Sequence, residues 1–141
     1  MDRGSILRVW LPLLAGLWGL GWLYLYGPGP HDGLREIGFF LGLLGLAGVI
    51  LARYTLGRSF SITAKATALV TTGIYSRIRN PIYVSGIVSV TGVILILRQP
   101  LLWLLLLVII PMQVIRARRE ARVLEGTFGD AYREYRRHTW F

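Results

Sequence analysis

Cysteine is absent from this 141-residue chain, which excludes disulfides, thiolate nucleophiles and sulfur-ligated metal sites. Acid is scarce as well: seven Asp and Glu stand against sixteen Lys and Arg, and lysine occurs once, at Lys65. The two histidines, His31 and His138, have no partners at metal-ligand spacing, so no metal site is expected. Only 16% of the residues are charged, and whole stretches carry no charge at all. The "GLG" and "GPG" glycines follow no strand and open no βαβ unit, so they give no nucleotide fingerprint.

What is present is apolar. Hydrophobic residues make up 54% of the chain and gather in runs at Val9–Tyr26, Ile37–Ala52, Ile82–Leu97 and Leu101–Ile115. These runs predict an all-α integral membrane protein with four spans, about 6–26, 35–55, 81–97 and 100–116, in one domain over 1–141. The last two runs are short, and the tight "RQP" turn makes them a helical hairpin in which Arg98 reaches the interface. Pro111 inside the fourth run is expected to kink it. No cleavable leader is expected, because the first run lacks a small-residue cleavage site.

The arginines give the orientation. They crowd the loop between the second and third spans and the segment after the fourth, whereas the "GPGPHDGLRE" turn is nearly neutral. The positive-inside rule puts loop 57–80, tail 117–141 and both termini in the cytoplasm, the membrane being a bacterial or archaeal inner membrane. Nucleic acid is not the expected partner, since the charge borders lipid-length runs and is offset in the tail by Glu120, Glu125, Asp130 and Glu134. Tryptophans and tyrosines near the span ends, such as Trp10, Tyr24, Tyr26, Tyr54 and Trp103, form an interfacial belt. Gly38, Gly42, Gly45 and Gly48 recur every three or four residues, a bare face suited to close helix packing against a neighbouring span or a second chain.

Two polar segments carry the chemistry. "GIYSRIRNPIY" ends the long loop, with Asn80 as N-cap and Pro81 at the first position of the third span, which places Tyr83 in its first turn. Leu69 and Val70, apolar between threonines, suit a flat ring. Beyond the fourth span, Arg116 and Glu120 share a helix face. A hairpin returns to the side it left, so the two segments meet at the cytoplasmic boundary. That layout suits an enzyme joining a water-soluble reagent to a lipophilic acceptor; taken singly, the same residues read as a capped helix start and a surface ion pair. The tail "RARREARVLEGTFGDAYREYRRHTW" predicts a helix continuing from the span, a turn, and a short amphipathic helix at the membrane surface.

"LVTTGIYSRIRNPIYVSG" resembles the first signature of the isoprenylcysteine carboxyl methyltransferase family and related phospholipid methyltransferases, and "EARVLEGTFGDAYREYRRHTW" resembles the second. The resemblance implies S-adenosylmethionine as cofactor, held by Thr67, Ala68, Leu69, Val70, Tyr75, Arg79, Asn80, Pro81, Ile82, Tyr83 and Glu120. It implies methyl transfer to a lipophilic acceptor such as an isoprenylcysteine carboxylate or a lipid, with Arg116, Tyr83 and Asn80 at the reacting groups. Two positions depart from the family: Asn80 replaces a histidine, and Ala121 replaces the second glutamate of a pair. A nicotinamide-dependent membrane reductase of similar architecture, or a non-catalytic protein keeping the fold, are the alternatives.

Overall fold

A computed structural model of the chain describes residues 3–56 and 69–141, with side chains described from residue 10 onward. Among these residues the fold is all-helical, in the order α1 (Arg3–Tyr26), α2 (Gly33–Leu56), α3 (Pro81–Leu97), α4 (Trp103–Phe128) and α5 (Asp130–His138). Short 3₁₀ turns at Gly73–Ser76 and Pro100–Leu102 lead into α3 and α4. An apolar chain satisfies its backbone within each helix, which is what a lipid environment demands. Gly33–Leu56 and Pro100–Phe128 are long and apolar enough to cross a membrane, and Pro81–Leu97 is a shorter apolar helix.

The core is the seam between α2 and α3. A Cβ built on Gly38 would lie 2.8 Å from the Gly92 carbonyl oxygen, and one on Gly45 would lie 2.6 Å from that of Ser85. Only glycine lets these backbones approach so closely. Gly42 belongs to the same seam, since a Cβ on Gly92 would lie 2.4 Å from the Gly42 backbone nitrogen, while a Cβ on Gly42 itself would meet the Leu20 side chain of α1. The glycine face therefore serves packing within the chain. Ile96 of α3, against Gly38, and Ala52 of α2 are buried, and Ile94 is buried on another side of α3. The expected hairpin partner, α4, packs less closely on α3: its bulky Trp103, Leu104, Leu107, Val108 and Ile110 face outward and are exposed. Small residues select α2 as the partner of α3, and α4 keeps an apolar outer flank.

Helix ends follow local chemistry, with one correction. Pro81 takes the first position of α3, where the missing N–H costs nothing. Asn80, however, makes no side-chain cap. Its backbone N–H donates to the Phe141 carbonyl at 2.9 Å, and its own carbonyl accepts from the N–H groups of Tyr83 and Val84 at 3.1 and 3.2 Å. Backbone pairing with the end of the chain fixes Asn80 away from a capping geometry. At its other end α3 closes on Arg98 in a left-handed conformation (φ 54°), whose N–H reaches the Ile94 carbonyl at 3.0 Å. The fourth helix runs as one element through Pro111 to Phe128, and Gly129 (φ 51°) turns the chain into α5.

The connection between α1 and α2 is knit by a buried arginine that the sequence did not single out. Arg35 is 1% exposed and donates to the carbonyls of Tyr24, Gly27, Pro28 and Gly29 at 3.1, 2.6, 2.6 and 2.9 Å. It thereby supplies donors to carbonyls that the end of α1 leaves unpaired. Arg98 pairs with Asp32 across the same turn, tying the end of α3 to it. The Arg98 guanidinium, with help from the Arg35 N–H, holds the Asp32 carboxyl below the usual carboxylate range.

Candidate active site

The loop before α3 and the tail after the apolar part of α4 are joined at three levels. First, the backbone: Arg79 N–H donates to the Trp140 carbonyl (3.1 Å) and Trp140 N–H to the Arg77 carbonyl (3.0 Å), forming with the Asn80–Phe141 bond a short parallel bridge. Second, the tyrosines: the Tyr135 hydroxyl of α5 donates to the Tyr75 carbonyl at 2.8 Å. Third, the polar side chains: the Tyr83 hydroxyl, in the first turn of α3, donates to the Glu120 carboxylate of α4. Arg116, one turn before Glu120, lies with its guanidinium carbon 6.0 Å from the Tyr83 ring centre, at the edge of cation–π range.

Burial shapes the chemistry of this junction. Tyr75 is 7% exposed, and burial, then the nearby Tyr135 and Glu120, push its phenol well above the ordinary value. Burial and the neighbouring Tyr132 push Tyr135 up to about 12, while Arg79 pulls the other way. Burial also raises Tyr132, against the opposing pull of Arg79 and Arg136. All three phenols are therefore neutral hydrogen-bonding groups at physiological pH. Glu120 is half-buried, and among the described residues it accepts from the Tyr83 hydroxyl.

A cleft of about 500 Å³ opens beside this junction, lined by Arg79, Asn80, Val114, Ala117, Arg118, Ala121, Arg122, Glu125, Arg136 and Phe141. On α4 its lining follows helical spacing through Val114, Arg118, Ala121 and Glu125. Arg116 and Glu120 project from a different side of the same helix, so the residues expected to form one site divide between two places. Tyr75, Tyr83, Arg116 and Glu120 form one group, and Arg79 and Asn80 line the cleft. Pro81 is buried and Ile82 half-buried in the first turn of α3. Leu69 and Val70 are half-buried ahead of the 3₁₀ turn and do not line the cleft, and Thr67 and Ala68 lie outside the described residues.

Sequence reading missed Arg118, Arg122, Arg136 and Phe141 as cleft residues, and Tyr132 and Tyr135 as the pins of α5. The four-residue step from Arg118 to Arg122 was available, but seven arginines in the tail offer too many such pairs to choose among.

Fold and site together describe a small helical protein with apolar membrane-length helices and a polar junction built from two separated segments. A model of the phospholipid methyltransferase family matches residues 34–131, from the start of α2 into α5. The chain belongs to this family of membrane methyltransferases, which includes proteins like the isoprenylcysteine carboxyl methyltransferases. No curated protein and no solved structure matches it.

Proposed function

We propose that the protein transfers the methyl group of S-adenosylmethionine to a lipophilic acceptor that reaches the site from the membrane. The observation that carries this reading is the contact between Tyr83 and Glu120, residues from the two segments that carry the family resemblance. The residues fit the cofactor: Glu120 offers a half-buried carboxylate to an ammonium group, and Tyr75 and Tyr83 offer aromatic surface beside it. In this reading α1 to α4 all cross the bilayer, and the junction lies at the cytoplasmic boundary. The 17 residues of α3 span about 26 Å, a little under the hydrocarbon thickness, which keeps its first turn at the interface.

S-adenosylmethionine, when bound, would supply a methyl group on a positively charged sulfur: an acceptor lone pair would form the new bond to the methyl carbon as the carbon–sulfur bond breaks and its electron pair leaves on sulfur as the neutral thioether. Glu120 holds the amine of the cofactor by a charge-assisted hydrogen bond, and Tyr83 aims that carboxylate. Arg116, beside the Tyr83 ring, binds a carboxylate or phosphate on the acceptor. Asn80, which stands where the family resemblance has a histidine, lines the neighbouring cleft and has no part in this reading of the donor pocket. Alignment and exclusion of water are the protein's main contributions, and such positioning supplies roughly 7–11 kcal/mol in well-oriented systems.

Calorimetry in detergent with S-adenosylmethionine and with NADPH tests the reading. Binding of the sulfonium alone is expected; binding of the dinucleotide alone, or of neither, overturns it. Methyl transfer from labelled S-adenosylmethionine into a total lipid extract then identifies the acceptor.

A further inference from the structure

The acids near the cleft are spent elsewhere. Glu120 accepts from Tyr83, Glu125 and Asp130 hold Arg133, and Glu134 holds Arg137 and His138. Arg79, Arg118, Arg122 and Arg136 all line the cleft, and among the described residues none of the four has a carboxylate partner. Residues 57–68 contain neither Asp nor Glu, so that stretch brings no acid to neutralise them. Four guanidiniums around one cavity repel one another, and an anion within it removes that cost.

We infer that this cleft binds the phosphate of an anionic glycerolipid, at a site separate from the donor pocket of Tyr83 and Glu120. The planar guanidinium fork matches phosphate oxygens two at a time. Val114, Ala117, Ala121 and Phe141 give the cleft an apolar wall, and by helical spacing the exposed Leu107 and Ile110 lie on the same face of α4, in its apolar part. A headgroup at the arginines thus has a path for its acyl chains. Basic pockets at the cytoplasmic ends of membrane helices suit anionic headgroups for this reason. The charge also argues against the cofactor. S-adenosylmethionine carries a sulfonium and an ammonium against one carboxylate, so four arginines and a single, already engaged glutamate repel it. The inference needs the protein in a membrane but does not need methyl transfer.

The test uses the purified full-length chain in neutral detergent, followed by thermal unfolding. Short-chain phosphatidylglycerol, phosphatidylcholine and inorganic phosphate are titrated separately, each with and without S-adenosylmethionine. Phosphatidylglycerol is expected to raise the unfolding temperature where the other two do not, with or without the sulfonium compound. The Arg118→Gln, Arg122→Gln double variant is expected to weaken the apparent affinity at least about tenfold, as loss of charge-assisted bonds implies. Arg136→Gln removes a cleft cation from a different helix and provides an independent loss. Arg137→Gln, whose guanidinium holds Glu134 outside the cleft, is expected to leave the response unchanged. Equal shifts with phosphatidylcholine, or shifts that survive removal of the cleft arginines, overturn the proposal. Equal shifts with inorganic phosphate reassign the cleft to soluble anions, and competition by S-adenosylmethionine reassigns it to the donor; either result overturns the lipid site.

Discussion

Tyr83 and Glu120 are 37 residues apart and meet through a single hydrogen bond, so each is a handle on the proposed donor pocket. Replacing Glu120 by Gln removes the charge that attracts an ammonium, and calorimetry is expected to show S-adenosylmethionine binding weakened roughly ten- to a hundredfold, the loss typical of a hydrogen bond to a charged group. Tyr83→Phe keeps the ring and loses only the orienting hydroxyl, so a smaller weakening, about threefold to tenfold, is expected in the same measurement. Far from this pocket, Asp32 has its carboxyl acidity increased chiefly by Arg98. A depressed carboxylate contributes stability above its unfolded value near 3.8 and loses it as pH falls through the lower folded value. Asp32→Asn is therefore expected to lower stability at pH 7, where the charged partner of Arg98 is lost, and to flatten the acid limb of a denaturation curve below about pH 4, where the two proteins converge. The residues of the donor group were legible because they sit in two motifs. Arg35 was not, because an arginine that binds carbonyls looks in sequence like any other arginine near a helix start.

Among the helices, the α2–α3 seam has the least tolerance. Gly45→Leu drives a side chain into the backbone of Ser85 and Ser89, and a loss of about 3 kcal/mol or more is expected from overpacking, read as a lowered unfolding temperature. Gly21→Ala on α1 meets nothing within 4 Å, so a gain of about 0.5–1 kcal/mol from helix propensity is expected instead. The first turn of α3 was readable from Pro81, and the break before α5 from Gly129. The choice of partner for α3 was not. Hydropathy marks which segments are apolar, but close approach depends on which faces are bare, and the glycines of α2 became decisive only when set against Ser85, Ser89 and Gly92. Asn80 shows the opposite failure: its capping propensity was real, but hydrogen bonds from the far end of the chain overrode it.

For the molecule as a whole, α5 is held to the loop by buried phenols, and that attachment depends on pH. The Tyr135 phenol is neutral in the folded chain up to about 12, whereas in the unfolded chain it ionises near 10. The raised value means stability is complete below pH 10 and is lost as pH rises from there through about 12, with Tyr75 and Tyr132 acting in the same direction. Tyr135→Phe is expected to shallow that alkaline loss in a denaturation series, at a cost of about 1 kcal/mol at neutral pH for the missing bond to the Tyr75 carbonyl. Overall helical content was legible from composition, because apolar runs of this length have few other ways to satisfy their backbone. The division of the site into a donor group and an arginine cleft was not, since it depends on which side of α4 each residue occupies once the helix has docked.

The short backbone bridge between residues 77–80 and 140–141 makes the last two residues reporters for the start of α3. Amide hydrogens of Arg79, Asn80 and Trp140 close one ladder, so none can exchange with solvent unless the others are freed with it. Deuterium uptake at these three amides is expected to slow together when a ligand tightens the junction, giving a signal of occupancy from backbone that touches no ligand itself.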